Sequence, residues 1–245
     1  MLDQLLAEAP RFYTYYNLLF LGQAALNTLL VSFLGCLIGY LIGLVLATAR
    51  LPQVMRWTPV RAGALLWTEI FRRIPFLVLL LCVFFGFQLS GAQTSLFTIA
   101  VTAVVLRMSA LAAENVRAGY EAVNPRQWDA ALTMNIPPLT ALVRIILPQA
   151  WRVILPPSTM HTVSMIKETS LVSQIGFLEL TFAARVLTQR GFSALICFGT
   201  VLVAYFVISW SFAAFFRYAE RKLVHEARGK PLDAPPAPLV REVPA

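Results

Sequence analysis

Charge is what this chain has little of. Of its 245 residues, 13% are Asp, Glu, Lys or Arg, and only twelve of these are acidic. A water-soluble domain of that length carries roughly twice this share of charge to cover its surface, so a soluble helical bundle is set aside. Cysteine is scarce too. Cys36, Cys82 and Cys197 all sit inside apolar runs with no CxxC spacing, which argues against a disulfide framework, a thiolate metal site or a redox pair. The GxxxxGK[ST] phosphate loop is missing, as are HExxH, GxSxG and any paired catalytic carboxylates. The chain is therefore expected not to be an enzyme and to hold no cofactor, and any ATP it depends on is hydrolysed elsewhere.

What is present is hydrophobic: 58% of the residues are apolar. Runs of this length cross a bilayer as helices, which take roughly 20 residues because lipid tolerates only internally hydrogen-bonded backbone. Five spans fit best, near 19–49, 60–88, 95–119, 153–175 and 191–217. The opening MLDQLLAEAP lacks a basic leader and carries Asp3 and Glu8, so the first span is read as retained. The predicted organisation is a segment 1–18 outside, a membrane domain 19–220 with a loop at about 123–150, and a tail 221–245. That tail ends in the proline-rich PLDAPPAPLVREVPA and is expected to be disordered.

The net charge of +8 suggests nucleic acid, but its placement argues otherwise. Basic residues collect in alternate connections. Arg50, Arg56 and Arg61 follow the first span, the Gly86–Thr98 connection is uncharged, and Arg126 and Arg144 follow the third span. Arg217, Arg221, Lys222, Arg228 and Lys230 lie at the end. The positive-inside rule then puts the amino terminus outside and the carboxyl terminus inside, in the lipid of a cytoplasmic membrane. Arg185 and Arg190, in a connection placed outside, run against the trend. Gly35, Gly39 and Gly43 share one helix face in the first span, a close-packing signal open to a contact within the chain or with a second chain.

Four segments, in order, resemble the inner-membrane permease subunit of ATP-binding cassette importers for polar amino acids. Glu69–Pro75 (EIFRRIP) is similar to that family's E-x-x-R-G-x-P, and Ala113–Val123 (AENVRAGYEAV) to its A-E-x-x-R-x-G. Asp129–Pro148 (DAALTMNIPPLTALVRIILP) is similar to its E-A-A, Gly, I-x-L-P loop, and Lys167–Leu171 (KETSL) to its K-D-T-S-L. The departures are Asp129 for Glu, Asn135 for Gly and Arg73 for Gly. The resemblance spans about residues 22–220. It implies an all-α, polytopic type I importer permease fold and a cytoplasmic coupling helix that enters a cleft on the ATPase. Trp128, Asp129, Ala130, Ala131, Asn135, Ile145, Leu147 and Pro148 would form that coupling segment. The implied partners are a second permease subunit, identical or homologous, a cytoplasmic ATPase dimer and an extracytoplasmic amino-acid-binding protein.

The loop also reads physically. Arg126–Met134 has helical spacing, and Asn135 with Pro137 and Pro138 stops it, since a proline supplies no amide donor. Ala130 and Ala131 are small enough for close docking, and Asp129 offers a charge to a basic partner. Leu139–Ile146 resumes helical spacing before Pro148.

Ionisable groups inside spans are costly unless paired or facing water, so each is a functional candidate. Glu69 with Arg72 or Arg73 is open to two readings, mutual neutralisation or a place on the substrate path. Glu114 and Arg117 read as an i,i+3 pair. Arg107 is the deeper cation, suited to a carboxylate, with snorkelling as the other reading. Lys167, Glu168, Thr169 and Ser170 are the densest polar cluster. They supply acceptors for an ammonium group and donors for a carboxylate, or else act as glue between helices. His161 reads as a packing histidine. Arg73, Arg107 and Lys167 tilt the expected substrate toward glutamate or aspartate. An ion-driven carrier using Glu168 or His161, and a passive membrane anchor for the ATPase, are the rival readings.

Overall fold

The computed structural model describes residues 8–228, with side chains through residue 218, and all its regular elements are helices. The first span is α1 (Tyr15–Arg50), 36 residues long. It stops at Leu51, whose extended backbone (φ −75°, ψ 120°) is what a residue before proline adopts. After α1 come α2 (Thr58–Arg73), α3 (Phe76–Leu89) and α4 (Leu96–Glu121). The Ser95 hydroxyl caps α4 by accepting the Thr98 N–H at 3.2 Å.

Four helical stretches are long and apolar enough to span a membrane: Tyr15–Arg50, Leu96–Glu121, Pro138–Ile175 and Ala194–Tyr218. A fifth exists only as a broken pair. The span expected over 60–88, in which Pro75 costs the helix a hydrogen bond and invites a bend, is α2 and α3 meeting at 111°. Ile74 is extended (ψ 131°) before Pro75, and Pro75 has no amide for the Phe71 carbonyl, so the helix cannot continue. The fourth span also differs from its expected bounds of 153–175. Helical backbone runs from a single turn, Pro138–Ala141, through a π-helical stretch, Leu142–Ile146, into α6 (Leu147–Glu168), with α5 (Arg126–Thr133) preceding it. Pro148 lies inside this continuous helical backbone, just past the π-helical stretch, and does not end it. Pro156 and Pro157 inside α6 remove the bonds to the Arg152 and Val153 carbonyls without ending it.

A 3₁₀ segment, Thr169–Ile175, closes this span, and Gly176 (φ 84°) turns the chain. Then come α7 (Leu180–Gln189) and α8 (Ala194–Arg228). The tail expected to be disordered thus begins as helix through Arg228, and residues 229–245 lie outside the described residues.

The core falls into three clusters along the bundle. One joins Val31, Met108 and Leu80 at mid-height, and one joins Leu51, Tyr120 and Ile146 at the end bearing α5. The third joins Leu21, Leu187 and Cys197 at the opposite end. The glycine face packs within the chain: Gly35, Gly39 and Gly43 abut Val104, Met108 and Ala112 of α4. Packing is uneven. Half of the most apolar window of α4 is buried, against 11% of that of α8.

Candidate functional site

Three groups of polar side chains stand out. The first lies at the elbow between α2 and α3. Glu69 accepts Arg72 Nη2 at 2.6 Å and Arg73 Nη2 at 2.7 Å, so both cations in the last turn of α2 share one carboxylate. Arg107, midway along α4, is half-buried and has no carboxylate partner among the described residues. Its Nη1 donates to the carbonyls of Phe71 (3.1 Å), Arg72 (2.7 Å) and Ile74 (3.2 Å). Trp67 Nε1 bonds Ser109 Oγ at 3.0 Å, a second tie between α2 and α4.

The second group is the KETSL cluster, which the local geometry divides. Lys167 is exposed, with no ion-pair partner among the described residues. Glu168 is half-buried, and its Oε2 is enclosed without a hydrogen-bond partner. Where α6 tightens into the 3₁₀ segment, Thr169 turns inward and is 1% exposed. Its hydroxyl donates to the Ile166 carbonyl at 2.7 Å and sits 3.4 Å from Ser32 Oγ of α1. Half-buried Ser170 accepts the Ser173 hydroxyl on its carbonyl at 2.8 Å. Glu168 and Ser170 therefore keep a partly open side, whereas Thr169 belongs to the α1–α6 contact.

A cavity of about 440 Å³ between α1, α6 and α8 does not touch Lys167–Ser170. Its walls are aliphatic and aromatic apart from hydroxyls such as those of Tyr40, Ser158 and Thr162, and these are already bonded. Tyr40 Oη donates to the Ser158 carbonyl at 2.6 Å and lies 3.3 Å from Thr162 Oγ1. This cavity offers nothing to a zwitterion.

The third group is the loop. α5 is held at both ends. The Asn124 side chain accepts the Arg126 N–H at 3.0 Å, and Asn135 makes the exit turn at φ 52°. Asn135 is the one non-glycine residue with positive φ among the described residues, and asparagine tolerates that conformation. The Ile136 N–H closes the turn on the Ala131 carbonyl at 2.9 Å. α5 has two unlike faces. Ala131 is 2% exposed and faces a cavity of about 210 Å³ shared with Pro52, Arg56 and Trp128. Asp129 and Ala130 are exposed, beside Leu132 and Met134 at 60% and 72%. Of the two alanines read as docking contacts, Ala130 is available and Ala131 faces its own chain. Ile145 and Leu147 pack partly against the core cluster at this end, and Pro148 is exposed.

The sequence reading missed two features. Glu114 pairs not only with Arg117, at 2.5 Å, but also with Arg50 of α1 at 3.0 Å, and Arg117 pairs in turn with Glu121. Arg50 lies 64 residues away in the chain, so spacing could not reveal it. Glu179 is 1% exposed. It caps α7 by accepting the Phe182 N–H at 2.7 Å, and it takes the Tyr205 hydroxyl of α8 at 2.6 Å. Burial pushes its carboxyl above the ordinary range, against the pull of those bonds. An acidic residue just before an amphipathic ten-residue run was the available signal.

Comparison with known proteins agrees with this architecture. A probable amino-acid ABC transporter permease, YckA of Bacillus subtilis (strain 168), is 32% identical over 81% of this chain and 86% of its own length. The L-cystine transport system permease TcyB of the same organism is 32% identical, covering 80% of this chain and 83% of its own. A putative glutamine transport system permease, GlnP of Rickettsia felis (strain ATCC VR-1525 / URRWXCal2), is 27% identical, covering 86% and 95%. Among solved structures, a chain of an amino acid ABC transporter crystallised with histidines superposes with a TM-score of 0.75 at 32% identity, over 83% of this chain and 94% of its own. A chain of the inward-facing MetNI methionine ABC transporter, at 19% identity, shares the fold with a TM-score of 0.74, over 86% and 99%. Residues 39–225 match the model of the binding-protein-dependent transport system inner membrane component, and this chain belongs to that permease family.

Proposed function

We propose that this chain is the transmembrane subunit of an ATP-driven uptake system for a polar amino acid. It would form the path together with a second permease chain and take its driving force from a separate ATPase dimer at α5. An extracytoplasmic binding protein would deliver substrate to the end bearing α7. In this reading the loop end is cytoplasmic, with the amino terminus outside and the carboxyl terminus inside, as the basic connections argue.

The observation that carries the reading is the two-faced α5. One side is packed on its own chain through Ala131, while the other offers Asp129, Ala130, Leu132 and Met134. Exposed apolar side chains on and just after a short helix outside the spans suit a groove on another protein. Asn135, Ile145, Leu147 and Pro148 then serve as the frame that orients it. Membership of a binding-protein-dependent family argues against the ion-driven carrier.

For the substrate path, Lys167, Glu168 and Ser170 are the proposed lining, with Thr169 fixing the 3₁₀ segment against α1. The elbow bearing Glu69 and Arg73 borders it. The preference for glutamate or aspartate weakens, because Arg107 is bound to carbonyls and Arg73 is paired, which leaves Lys167 as the unpaired cation among the three. Relatives named for glutamine and cystine favour a neutral polar amino acid equally.

The test is reconstitution in vesicles with the partner permease, ATPase and binding protein. ATP-dependent uptake of labelled glutamine, glutamate or cystine supports the assignment. Uptake by this chain alone, driven by a proton or sodium gradient and indifferent to ATP, overturns it.

A further inference from the structure

We infer that Arg107 is the positioning residue that builds the elbow of the broken span, replacing with its guanidinium the amide that Pro75 cannot supply. In a continuous helix the Phe71 carbonyl would accept the N–H of residue 75, and proline has none. The bend of 111° also carries the Phe76 amide away from the end of α2. A break inside a span leaves carbonyls without their helical partners, and it is tolerated only where some other group satisfies them.

Arg107 meets that need geometrically. Nη1 reaches the Phe71, Arg72 and Ile74 carbonyls together, one of which lies beyond the last residue of α2. A cation there also faces the negative end of the α2 dipole. The neighbouring cations Arg72 and Arg73 are already shared by Glu69, so neither replaces it. Trp67–Ser109 ties α2 to α4 one turn earlier, so that α4 holds the end of α2 while α3 leaves at its own angle.

The geometry of this clamp stands by itself. Its consequence for transport rests on the permease reading of the preceding subsection, since the elbow carries Glu69 and Arg73 to the wall of the path. Distance and transport measurements therefore separate the two claims.

The complete transporter is labelled with spin probes at Gly63→Cys of α2, where an added Cβ meets nothing within 4 Å, and at the exposed native Cys82 of α3. The remaining thiols, Cys36 and Cys197, are buried. Wild type and Arg107→Lys, whose ammonium keeps three donors, are expected to share one narrow distance distribution. Arg107→Met is expected to broaden or shift it and to lower kcat by about tenfold with KM changed by less than about twofold. In Arg107→Met/Pro75→Ala, where the amide returns, a single longer distance is expected. If Arg107→Met fails to accumulate, Arg107→Gln, with one amide group at shorter reach, carries the same comparison with Arg107→Lys. A wild-type distribution in Arg107→Met or Arg107→Gln overturns the inference. So does an Arg107→Lys variant with the elbow intact and KM raised about tenfold, which would make Arg107 a substrate ligand instead.

Discussion

Replacing Gly43 by alanine puts a methyl group where α1 and α4 touch backbone to backbone. The new Cβ would lie 2.5 Å from Ala112 Cβ and 2.9 Å from both the Ala113 amide nitrogen and the Ser109 carbonyl oxygen. Ordinary contacts between such atoms are about 3.5–4.0 Å, so roughly 1 Å must be found by moving one helix. No side-chain rotation relieves the clash, because two of the three atoms are main chain. Overpacking of this kind costs about 1–3 kcal/mol, and the better helix propensity of alanine returns about 1 kcal/mol. Gly43→Ala is therefore expected to destabilise by up to about 2 kcal/mol. Gly22→Ala is the control: it lies on the same helix with nothing within 4 Å and should stabilise by about 0.5–1 kcal/mol. Gly35→Ala should behave like Gly43→Ala, since its Cβ would lie 2.6 Å from Val104 Cβ and 2.4 Å from Cγ1 of that buried, β-branched side chain. Reversible unfolding in mixed detergent micelles, with denaturing detergent as the variable, gives the three values. If Gly43→Ala and Gly22→Ala agree within about 0.3 kcal/mol, the seam is not a close contact and the argument fails.

Asp129→Arg with Ala130→Trp is expected to leave the chain inserted and to abolish ATP-dependent uptake in vesicles, whereas uptake at the wild-type rate would remove α5 from coupling. Ala131→Leu should instead leave ATP-dependent uptake in place, because its side chain turns into the cavity of about 210 Å³ lined by its own chain, and lost uptake would contradict that facing. At Asn135, valine is expected to cost about 1–2 kcal/mol and glycine almost nothing, because positive φ penalises a β-branched residue, and equal stabilities would contradict that turn. The raised carboxyl of Glu179 means the folded chain holds its proton more tightly than the unfolded chain does. The stability it supplies is complete below the ordinary carboxylate range near 4.5 and is lost as pH rises through the folded value, so Glu179→Gln should flatten that decline.

How far the sequence could be read depended on whether the partner of a residue was local. The α5 helix was legible, because Arg126–Thr133 is bounded by residues that forbid its extension, and so was the left-handed turn at Asn135. The i,i+3 pairs of Glu69 and Glu114 were legible for the same reason. Pro75 announced a weakness in the second span. The size of the bend was not legible, because the angle is set by what α4 offers to the stranded carbonyls, and Arg107 lies more than thirty residues downstream. Pro148 misled in the opposite direction: it reads as a break, yet helical backbone runs through it from the π-helical stretch into α6. The KETSL segment showed its composition but not its division. Only the tightening to 3₁₀ geometry turns Thr169 onto Ser32 and leaves Lys167 outside.

Uneven packing decides where a push on α5 would go. At the loop end α4 is bound to α1 by the glycine seam and by Arg50, Glu114 and Arg117, so those two helices resist separation. On its other side α5 leads through Asn135 and a single turn into the π-helical stretch Leu142–Ile146, and then into α6. A π turn carries one residue more than the α-helical ladder calls for, and the helix after it is the less buried one, at 28% of its window against 50% for α4. Displacement of α5 by the proposed ATPase should accordingly swing α6 about its ties to the α1–α4 pair, where Tyr40 bonds the Ser158 carbonyl at 2.6 Å and Asn115 the Ile154 carbonyl at 2.9 Å. The far end of α6 runs into Lys167–Ser170, whose anchor on α1 is the marginal 3.4 Å approach of Thr169 to Ser32. The helix bearing the loop at one end thus bears the polar cluster at the other, and in the proposed mechanism work done at α5 reaches the substrate path by moving α6 rather than by deforming the bundle.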